Sequence, residues 1–221
     1  GWPDIYLNAL DYGSPPSGVR RINYRIDGSD WRTGNHFTIS YGSHTIEYYS
    51  EDFLGNVEQS QAKSVLPMAM ALPAGWSLIS LPVIPQNGSL SELFPEAVVV
   101  YGYERNSGYV RVTENEEMQP ATGYWILLQD AKTYTLFGET IQFYSQWIPL
   151  SGWYLKGGCS FPARASISSG NIDVIYGYKQ GAGYQRVSVS ETIDPCNGYW
   201  ILLSGIDFTD QAQLNVGRVA P

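Results

Sequence analysis

The sequence has little positive charge. Of its 221 residues only 13 are Lys or Arg, against 21 Asp or Glu, and the formal net charge is −8. A protein that binds nucleic acid needs a basic face for its phosphate contacts, and an anionic membrane surface attracts the same kind of face. The composition therefore argues against both kinds of partner.

Cysteine and histidine are equally scarce, with Cys159 and Cys196 and with His36 and His44. A zinc site of four such ligands would have to draw on both ends of the chain. No CxxC, GxSxG, Walker or HExxH motif is present. We interpret His44 as a core or boundary residue of an alternating strand and His36 as a solvated residue. The inventory predicts no catalytic residues, so we expect a chain that is not an enzyme and needs no organic cofactor.

One uncharged stretch is long enough to span a bilayer, but it is not a helix former. Residues 64–91 carry no charge and contain Pro67, Pro73, Pro82 and Pro85. Four prolines would remove helix hydrogen bonds in a solvent that cannot replace them. The stretch therefore predicts no membrane insertion within this chain, and we interpret residues 67–72 as a linker.

Glycine and aromatic residues are abundant, and many of them recur at a fixed distance. The string GYWILL occurs at 123–128 and again at 198–203, an offset of 75. The same offset relates the Tyr-Gly-Tyr at 101–103 to that at 176–178, and Tyr109 to Tyr184. An internal repeat of this kind indicates a duplicated structural unit. We predict one copy over residues 73–145 and a second over 146–221.

Short apolar runs rich in β-branched and aromatic residues, bounded by Gly, Pro or Asn, are typical of strands. Four or five of them per 75 residues predict a small β-sandwich or barrel in each copy. Residues 1–66 lie outside the repeat and form a third module, in which Asp27 and Gly28 predict a hairpin turn. The fold class expected is all-β throughout.

Two resemblances refine this expectation. The segments INYRIDGSDW (22–31), HTIEYYSED (44–52) and GNVE (55–58) resemble bacterial immunoglobulin-like domains, which occur as tandem modules of secreted and surface proteins. The likeness covers residues 2–66 and implies an immunoglobulin-like sandwich whose first strand is missing. Residues 73–221 resemble paired repeats with a GWNLIS-like opening and a GYW strand, found near the C-termini of bacterial and archaeal surface proteins. WSLISL (76–81) fits that opening, whereas WYLKGG (153–158) departs from it.

Neither family has a catalytic motif to transfer. The resemblances imply a non-catalytic structural or interaction fragment of a larger secreted or cell-surface protein, acting as spacer, stalk or assembly module. Its partners would be other domains of the parent protein or neighbouring surface proteins.

A carbohydrate-binding accessory module is the alternative, because exposed aromatic rings stack on sugar faces. Strand alternation places Tyr109 beside Arg111 on one face, and Tyr184 beside Arg186 in the second copy. Trp31 and Trp147 are further candidates for exposed rings. The four tryptophans that recur between the copies, at 76, 125, 153 and 200, are interpreted instead as core residues.

Two structural sites are also predicted. Calcium could be held by loop oxygens, from Asp4, Asp11, Glu51, Asp52 and Asn56, although Asp and Asn also favour turns by bonding their own backbone. A disulfide is expected between Cys159 and Cys196, because an antiparallel arrangement of the strands next to them would bring the two together. Such a bond would indicate an oxidising compartment.

Overall fold

A computed structural model of the chain describes residues 3–40 and 42–219. Residues 1, 2, 220 and 221, at the ends of the predicted modules, lie outside the described part. Within it the chain has nineteen strands and one helix of four residues, which confirms the all-β class. No helix in these residues is long and apolar enough to cross a membrane.

The chain divides into two compact units, unit 1 over residues 1–68 and unit 2 over residues 69–221. The strands of unit 1 are β1 (Asp4–Tyr6), β2 (Val19–Ile26), β3 (Arg32–Thr33), β4 (His36–Thr38), β5 (His44–Asp52) and the first part of β6 (Gln61–Leu72). Strand β6 continues past the division and contributes its last residues to unit 2.

Unit 1 has two antiparallel sheets. β1 pairs with β4, and the larger sheet has the order β3-β2-β5-β6, in which β5 pairs with residues 61–65 of β6. Tyr24 of the larger sheet and Phe37 of the smaller one are buried and stack with centroids 4.1 Å apart. The predicted turn is present, since Asp27 and Gly28 have φ of 51° and 71° and lie between the paired strands β2 and β3. Positive φ at both central residues gives the twist that a tight hairpin needs.

Unit 2 contains the remaining elements. They are β7 (Gly75–Ser80), β8 (Val83–Pro85), α1 (Leu90–Leu93), β9 (Ala97–Glu104), β10 (Gly108–Val112), β11 (Gly123–Leu128), β12 (Lys132–Thr140), β13 (Phe143–Ile148), β14 (Gly152–Gly157), β15 (Ala163–Ile167), β16 (Asn171–Lys179), β17 (Gly183–Val187), β18 (Gly198–Ser204) and β19 (Ala212–Arg218).

The strands of unit 2 follow one topology twice. The sheet orders β10-β9-β11-β7 and β6-β12-β8 match the orders β17-β16-β18-β14 and β13-β19-β15 strand for strand. We therefore define repeat 1 as residues 69–140 and repeat 2 as residues 143–218. In repeat 2 the four-stranded and three-stranded sheets enclose one buried cluster that includes Ile175, Ile201, Leu214 and Val216.

These bounds differ from the predicted ones at both connections. Residues 67–72 were expected to be a linker but lie in β6, and residues 146–148 lie in β13. Pro67 is compatible with a strand because the pairing of β6 with β5 ends at Val65, so β5 needs no N–H from Pro67. Each repeat thus begins with the strand that precedes its Gly-Trp opening.

The two repeats contact each other reciprocally. The Ser80 backbone N–H donates to the Cys196 carbonyl at 2.9 Å, and the Gly157 N–H donates to the Ala121 carbonyl at 2.9 Å. Ser80 and Gly157 are equivalent positions, as are Ala121 and Cys196. Contacts of this kind, in which each copy uses the same patch, are those of a two-fold interface. Repeat 1 and repeat 2 therefore pack as a pseudo-symmetric pair within one chain.

Candidate functional site

The four-stranded sheet of each repeat has one aliphatic face and one aromatic face. In repeat 2 the pairings Tyr176 with Trp200 and Tyr178 with Tyr184 place these four rings side by side. Directly paired residues of antiparallel strands have their side chains on the same face. The opposite face presents Ile175 and Ile201 to the buried cluster.

Repeat 1 builds the same face from equivalent residues. Tyr101 pairs with Trp125, and Tyr103 pairs with Tyr109. The edge strands β7 and β14 of the two four-stranded sheets add Trp76 and Trp153. We call these ten side chains the aromatic surface: Trp76, Tyr101, Tyr103, Tyr109, Trp125, Trp153, Tyr176, Tyr178, Tyr184 and Trp200.

The aromatic surface forms two equivalent grooves, each lined by rings from both repeats. The first groove, of about 510 Å³, is lined by Tyr103, Tyr109, Trp153, Tyr176, Tyr184 and Trp200. The second groove, of about 580 Å³, is lined by Trp76, Tyr101, Tyr109, Trp125, Tyr178 and Tyr184. Exchanging each residue for its repeat equivalent converts one set into the other. Tyr109 and Tyr184 belong to both sets and therefore lie between the grooves.

Equivalent pairs of rings have nearly the same centroid distances and interplanar angles. Tyr103 lies 4.6 Å from Trp200 at 77°, and its equivalent Tyr178 lies 4.7 Å from Trp125 at 72°. These edge-to-face contacts cross between the repeats, and each contributes about 0.5–1.5 kcal/mol beyond the area it buries. Together with Leu78 and Leu155 they form the packed centre between the two aromatic faces.

The glycines of the repeated motif allow this close packing. A Cβ at Gly123 would lie 2.8 Å from Cγ of Leu155, and one at Gly198 would lie 3.0 Å from Cγ of Leu78. A leucine of the other repeat therefore packs against the glycine that begins each GYWILL string. Any larger residue there would push the two faces apart.

Two side chains at equivalent positions, which we call the clasps, hydrogen-bond to backbone carbonyls of the other repeat. The Arg105 guanidinium donates to the carbonyl oxygens of Leu150, at 3.0 Å, and of Ser151. Its equivalent Gln180 donates from Nε2 to the Ala74 carbonyl at 2.5 Å. The clasps hold the opening strand of each repeat against the other repeat.

The grooves are exposed and their linings carry no charged side chain. Tyr109 and Tyr184 are 52% and 51% exposed, and Trp76 and Trp153 are both 38% exposed. Burial raises the pKa of the Tyr184 hydroxyl, and the nearby Tyr109 raises it further. The Tyr184 hydroxyl therefore stays neutral at physiological pH. The polar atoms of the linings are those of phenol and indole groups.

Sequence reasoning found Tyr109 and Tyr184 but missed most of the aromatic surface. Trp76 and Trp153 were interpreted as core because they recur, and that interpretation was wrong, since both are exposed groove residues. The signal that could have identified the site is the Tyr-Gly-Tyr string. Its tyrosines share one face, while a Cβ at Gly177 would lie 3.2 Å from the buried Tyr199 ring on the other.

The two candidate arginines lie outside the grooves. Arg111 and Arg186 share a sheet face with Tyr109 and Tyr184, as expected from alternation. Each lines a smaller separate cleft, Arg111 with Glu114 and Arg186 with Glu191. They do not bring positive charge into the groove linings.

Trp31 and Trp147 are exposed, as expected, but neither lines a groove. Trp31 belongs to unit 1, where the Arg25 guanidinium lies 4.8 Å from the ring centroid and is also paired with Glu47. Trp147 lies on β13 and contacts Phe208 edge-to-face at 5.9 Å. Trp147 is therefore an exposed tryptophan outside the aromatic surface, and it can serve as the control for variants of the groove tryptophans.

The structure brings together part of the set proposed to bind calcium, since Ser17 hydrogen-bonds to both Asp11 and Asp52, but Asp4 and Glu51 are engaged elsewhere. Asp4 contacts His36, and Glu51 is paired with Arg20 and Arg21. Asp11 accepts the N–H groups of Gly13 and Gly18, which lower the pKa of its carboxyl. Asp52 accepts hydrogen bonds from Asn56, which lower its pKa likewise. No group of three acidic, His or Cys residues in the described part of the chain is arranged to hold a metal ion.

The predicted disulfide is wrong for this structure, which keeps Cys159 and Cys196 as separate thiols. The last pair between β14 and β18 is Gly157 with Gly198, and each cysteine lies two residues beyond this pair. Beyond it Cys196 adopts a left-handed φ of 67°, while the Cys159 thiol donates to the Val216 carbonyl of β19 at 3.4 Å. Burial raises the thiol pKa to about 11 for Cys159 and about 12 for Cys196.

No family model matches this chain, and a search of curated proteins finds no match. The resemblances seen in the sequence therefore remain predictions.

Proposed function

We propose that this chain is a non-catalytic interaction module of a larger secreted or cell-surface protein, and that the aromatic surface of unit 2 is its binding face. The pair of equivalent grooves, lined entirely by Tyr and Trp, carries this proposal. Contiguous exposed apolar surface of this kind marks sites that bind partners or ligands. Both grooves lie within the volume range of ligand pockets, about 300–1,000 Å³.

Glycans are the ligand class that this surface favours within the predicted alternatives. The exposed faces of Trp76 and Trp153 can stack on sugar rings, and the hydroxyls of Tyr109 and Tyr184 can hydrogen-bond to sugar hydroxyls. A spacer or stalk without a ligand would gain nothing from exposing these four rings. The exposure therefore favours binding over a purely mechanical role.

The groove linings support a role without catalysis at this surface. Both histidines lie in unit 1, where His36 contacts Asp4 and His44 contacts Asp27 and Ser40, and neither lines a groove. Cysteine attacks as the thiolate, and the raised pKa values keep Cys159 and Cys196 as thiols at neutral pH. The groove linings hold neither an acid–base pair nor a nucleophile with a base beside it.

The location outside the cell rests on the family resemblances alone, because the disulfide that would have supported it is not formed. Other domains of the parent protein or neighbouring surface proteins are the partners we propose.

A glycan array tests the binding face directly. We expect the unaltered chain to bind, and the double variant Tyr109→Ala/Tyr184→Ala to lose binding at least tenfold, because these two rings line both grooves. Trp147→Ala is the matched control and should bind normally. Undiminished glycan binding by the double variant would show that the aromatic surface is not the binding face. An array without signal would remove glycans as the ligand and leave a protein partner, to be tested with the same variants.

A further inference from the structure

The polar groups of the groove linings are all neutral. Ligand pockets fix the orientation of a ligand with a few polar groups, which can be hydroxyl, amide or charged groups. Here the six side chains around each groove are all Tyr or Trp. Aromatic rings present a negative face, so a site walled only by them favours a cation.

The walls of each groove meet at right angles. In the first groove Trp153 and Trp200 are 6.2 Å apart at 87°, and Tyr109 and Trp200 are 6.2 Å apart at 87°. In the second groove Trp76 and Trp125 are 6.3 Å apart at 83°, and Tyr184 and Trp125 are 6.3 Å apart at 88°. Neighbouring rings of each groove thus lie within 6.3 Å of each other, so that a cation in the groove would contact more than one ring.

The surrounding charge also favours a cation. Residues 69–221 contain 13 acidic and 8 basic side chains, a formal charge of −5. The guanidinium of Arg105 is held by the carbonyls of Leu150 and Ser151. Arg111 and Arg186 lie opposite Tyr101 and Tyr176 in the sheets, and they line separate clefts that each contain a glutamate. The two grooves thus have aromatic walls in an acidic unit.

The kind of cation follows from the hydrogen-bonding groups. Lysine and arginine carry N–H donors that need acceptors when they leave water. The groove linings contain no carboxylate or amide to receive them, and the acceptors that they offer are neutral phenol oxygens. A quaternary ammonium has no N–H group, so it can enter an aromatic site without leaving a donor unsatisfied.

We propose that each groove binds a quaternary ammonium group, so that one chain binds two. This inference rests on the proposed function, since it assigns a ligand class to the same aromatic surface. Equal linings predict nearly equal affinities, and the shared Tyr109 and Tyr184 make the two sites neighbours.

Calorimetry and NMR titration with choline test the proposal. We expect two sites per chain, and at least tenfold weaker binding of 3,3-dimethyl-1-butanol, which has the shape of choline without its charge. Phosphocholine and a trimethyl-lysine peptide, titrated in parallel, distinguish a headgroup from a methylated side chain as the source of the group.

Variants of single grooves provide the matched controls. Trp153→Ala should abolish one site and Trp76→Ala the other, each leaving a stoichiometry of one, whereas Trp147→Ala should leave two. Because an alanine variant can disturb folding, protein labelled with 5-fluorotryptophan is a second measurement. Fluorine withdraws electrons from the ring without changing its shape, so labelled protein should bind choline several-fold more weakly.

Equal affinity for choline and its neutral isostere, or no binding of choline, would overturn this inference. Neither result would contradict the proposed function, which fails only if Tyr109→Ala/Tyr184→Ala retains the binding of a glycan or protein partner.

Discussion

Repeat 1 and repeat 2 have the same strands and five equivalent rings each, yet they differ at several positions where they touch. The equivalent pairs Ser80 and Gly157, Ile79 and Lys156, and Arg105 and Gln180 all lie at or beside the contact between the repeats. Where the two copies of a residue lie next to each other at the pseudo-two-fold contact, as Ser80 and Gly157 do, they compete for one space and have to differ. Contact residues that pack against a different residue of the other repeat, such as Leu78 and Leu155, can stay identical.

Ser80 and Gly157 illustrate this competition. A Cβ at Gly157 would lie 2.4 Å from the Cβ of Ser80, closer than any real contact between such atoms. Ser80 uses the space, since its hydroxyl donates to the Asn197 carbonyl at 2.9 Å. Only one member of the pair can carry a side chain.

The largest effect is expected for Gly157→Ser, which makes the two copies identical at this position. The added side chain overpacks the contact, and we expect the free energy of unfolding to fall by about 3 kcal/mol. Chemical denaturation monitored by Trp fluorescence measures this change.

The reciprocal variant makes that result specific. Ser80→Gly combined with Gly157→Ser exchanges the two residues and should recover most of the loss. Equal stability of Gly157→Ser and the unaltered chain would show that the repeats do not approach each other as described.

Lys156 breaks the symmetry in a second way, because its equivalent Ile79 is apolar and Lys156 is only 8% exposed. Burial lowers the pKa of its ammonium to about 8, which corresponds to a cost of about 3 kcal/mol at pH 7. The ammonium also lies 5.8 Å from the Tyr154 ring, a contact that offsets about 1 kcal/mol. We expect Lys156→Ile to stabilise the protein by about 2 kcal/mol at pH 7.

The same residue predicts a dependence on pH. Because the folded pKa of about 8 lies below the ordinary lysine pKa of 10.5, the unfolded chain binds more protons between these values. The contribution of Lys156 to stability therefore becomes more favourable as pH rises through 8. The stability gained by Lys156→Ile should shrink between pH 7 and 9, with Lys179→Ile, at an exposed position, as the control variant. A gain that stays constant over this range would indicate that Lys156 is solvated.

The two clasps should differ in strength. Arg105 donates a charged group to two carbonyls of repeat 2, whereas Gln180 donates a neutral amide to one carbonyl of repeat 1. We expect Arg105→Ala to cost about 1.5 kcal/mol and Gln180→Ala about 0.5 kcal/mol. Thermal melts of the two variants check the order, and a larger loss from Gln180→Ala would contradict it.

The smallest effect concerns the cysteines, where repeat 1 has Pro82 and Ala121. Since both thiols have raised pKa values, iodoacetamide at pH 8 should label native, non-reduced protein slowly. The same protein should take up two labels once it is denatured. Intact mass spectrometry counts them, and no label after denaturation would restore the disulfide that the sequence suggested.

Much of this architecture could be predicted from local patterns. The offset of 75 identified the duplication, and alternation placed Tyr109 and Arg111 on one sheet face. Asp27 and Gly28 predicted a turn because positive φ favours those residues. Each of these three inferences depends on residues close in sequence or on direct repetition. None of them requires knowledge of which elements pack against each other.

The errors came from questions of packing. Pro67 suggested a linker because proline removes a ladder hydrogen bond, and whether that bond is needed depends on how far β5 extends alongside β6. Cys159 and Cys196 suggested a disulfide because their strands are antiparallel, and the outcome depended on where that pairing ends.

By itself the sequence determined the all-β class, the two copies and the residue types of each aromatic face, since these follow from strand periodicity and from the repeat. Only the tertiary structure decided that Trp76 and Trp153 face solvent and that each groove draws rings from both repeats. The physical reason is that a duplicated sequence specifies two similar faces but not their mutual orientation. That orientation comes from the fit of Leu78 and Leu155 against Gly198 and Gly123 across the pseudo-two-fold contact.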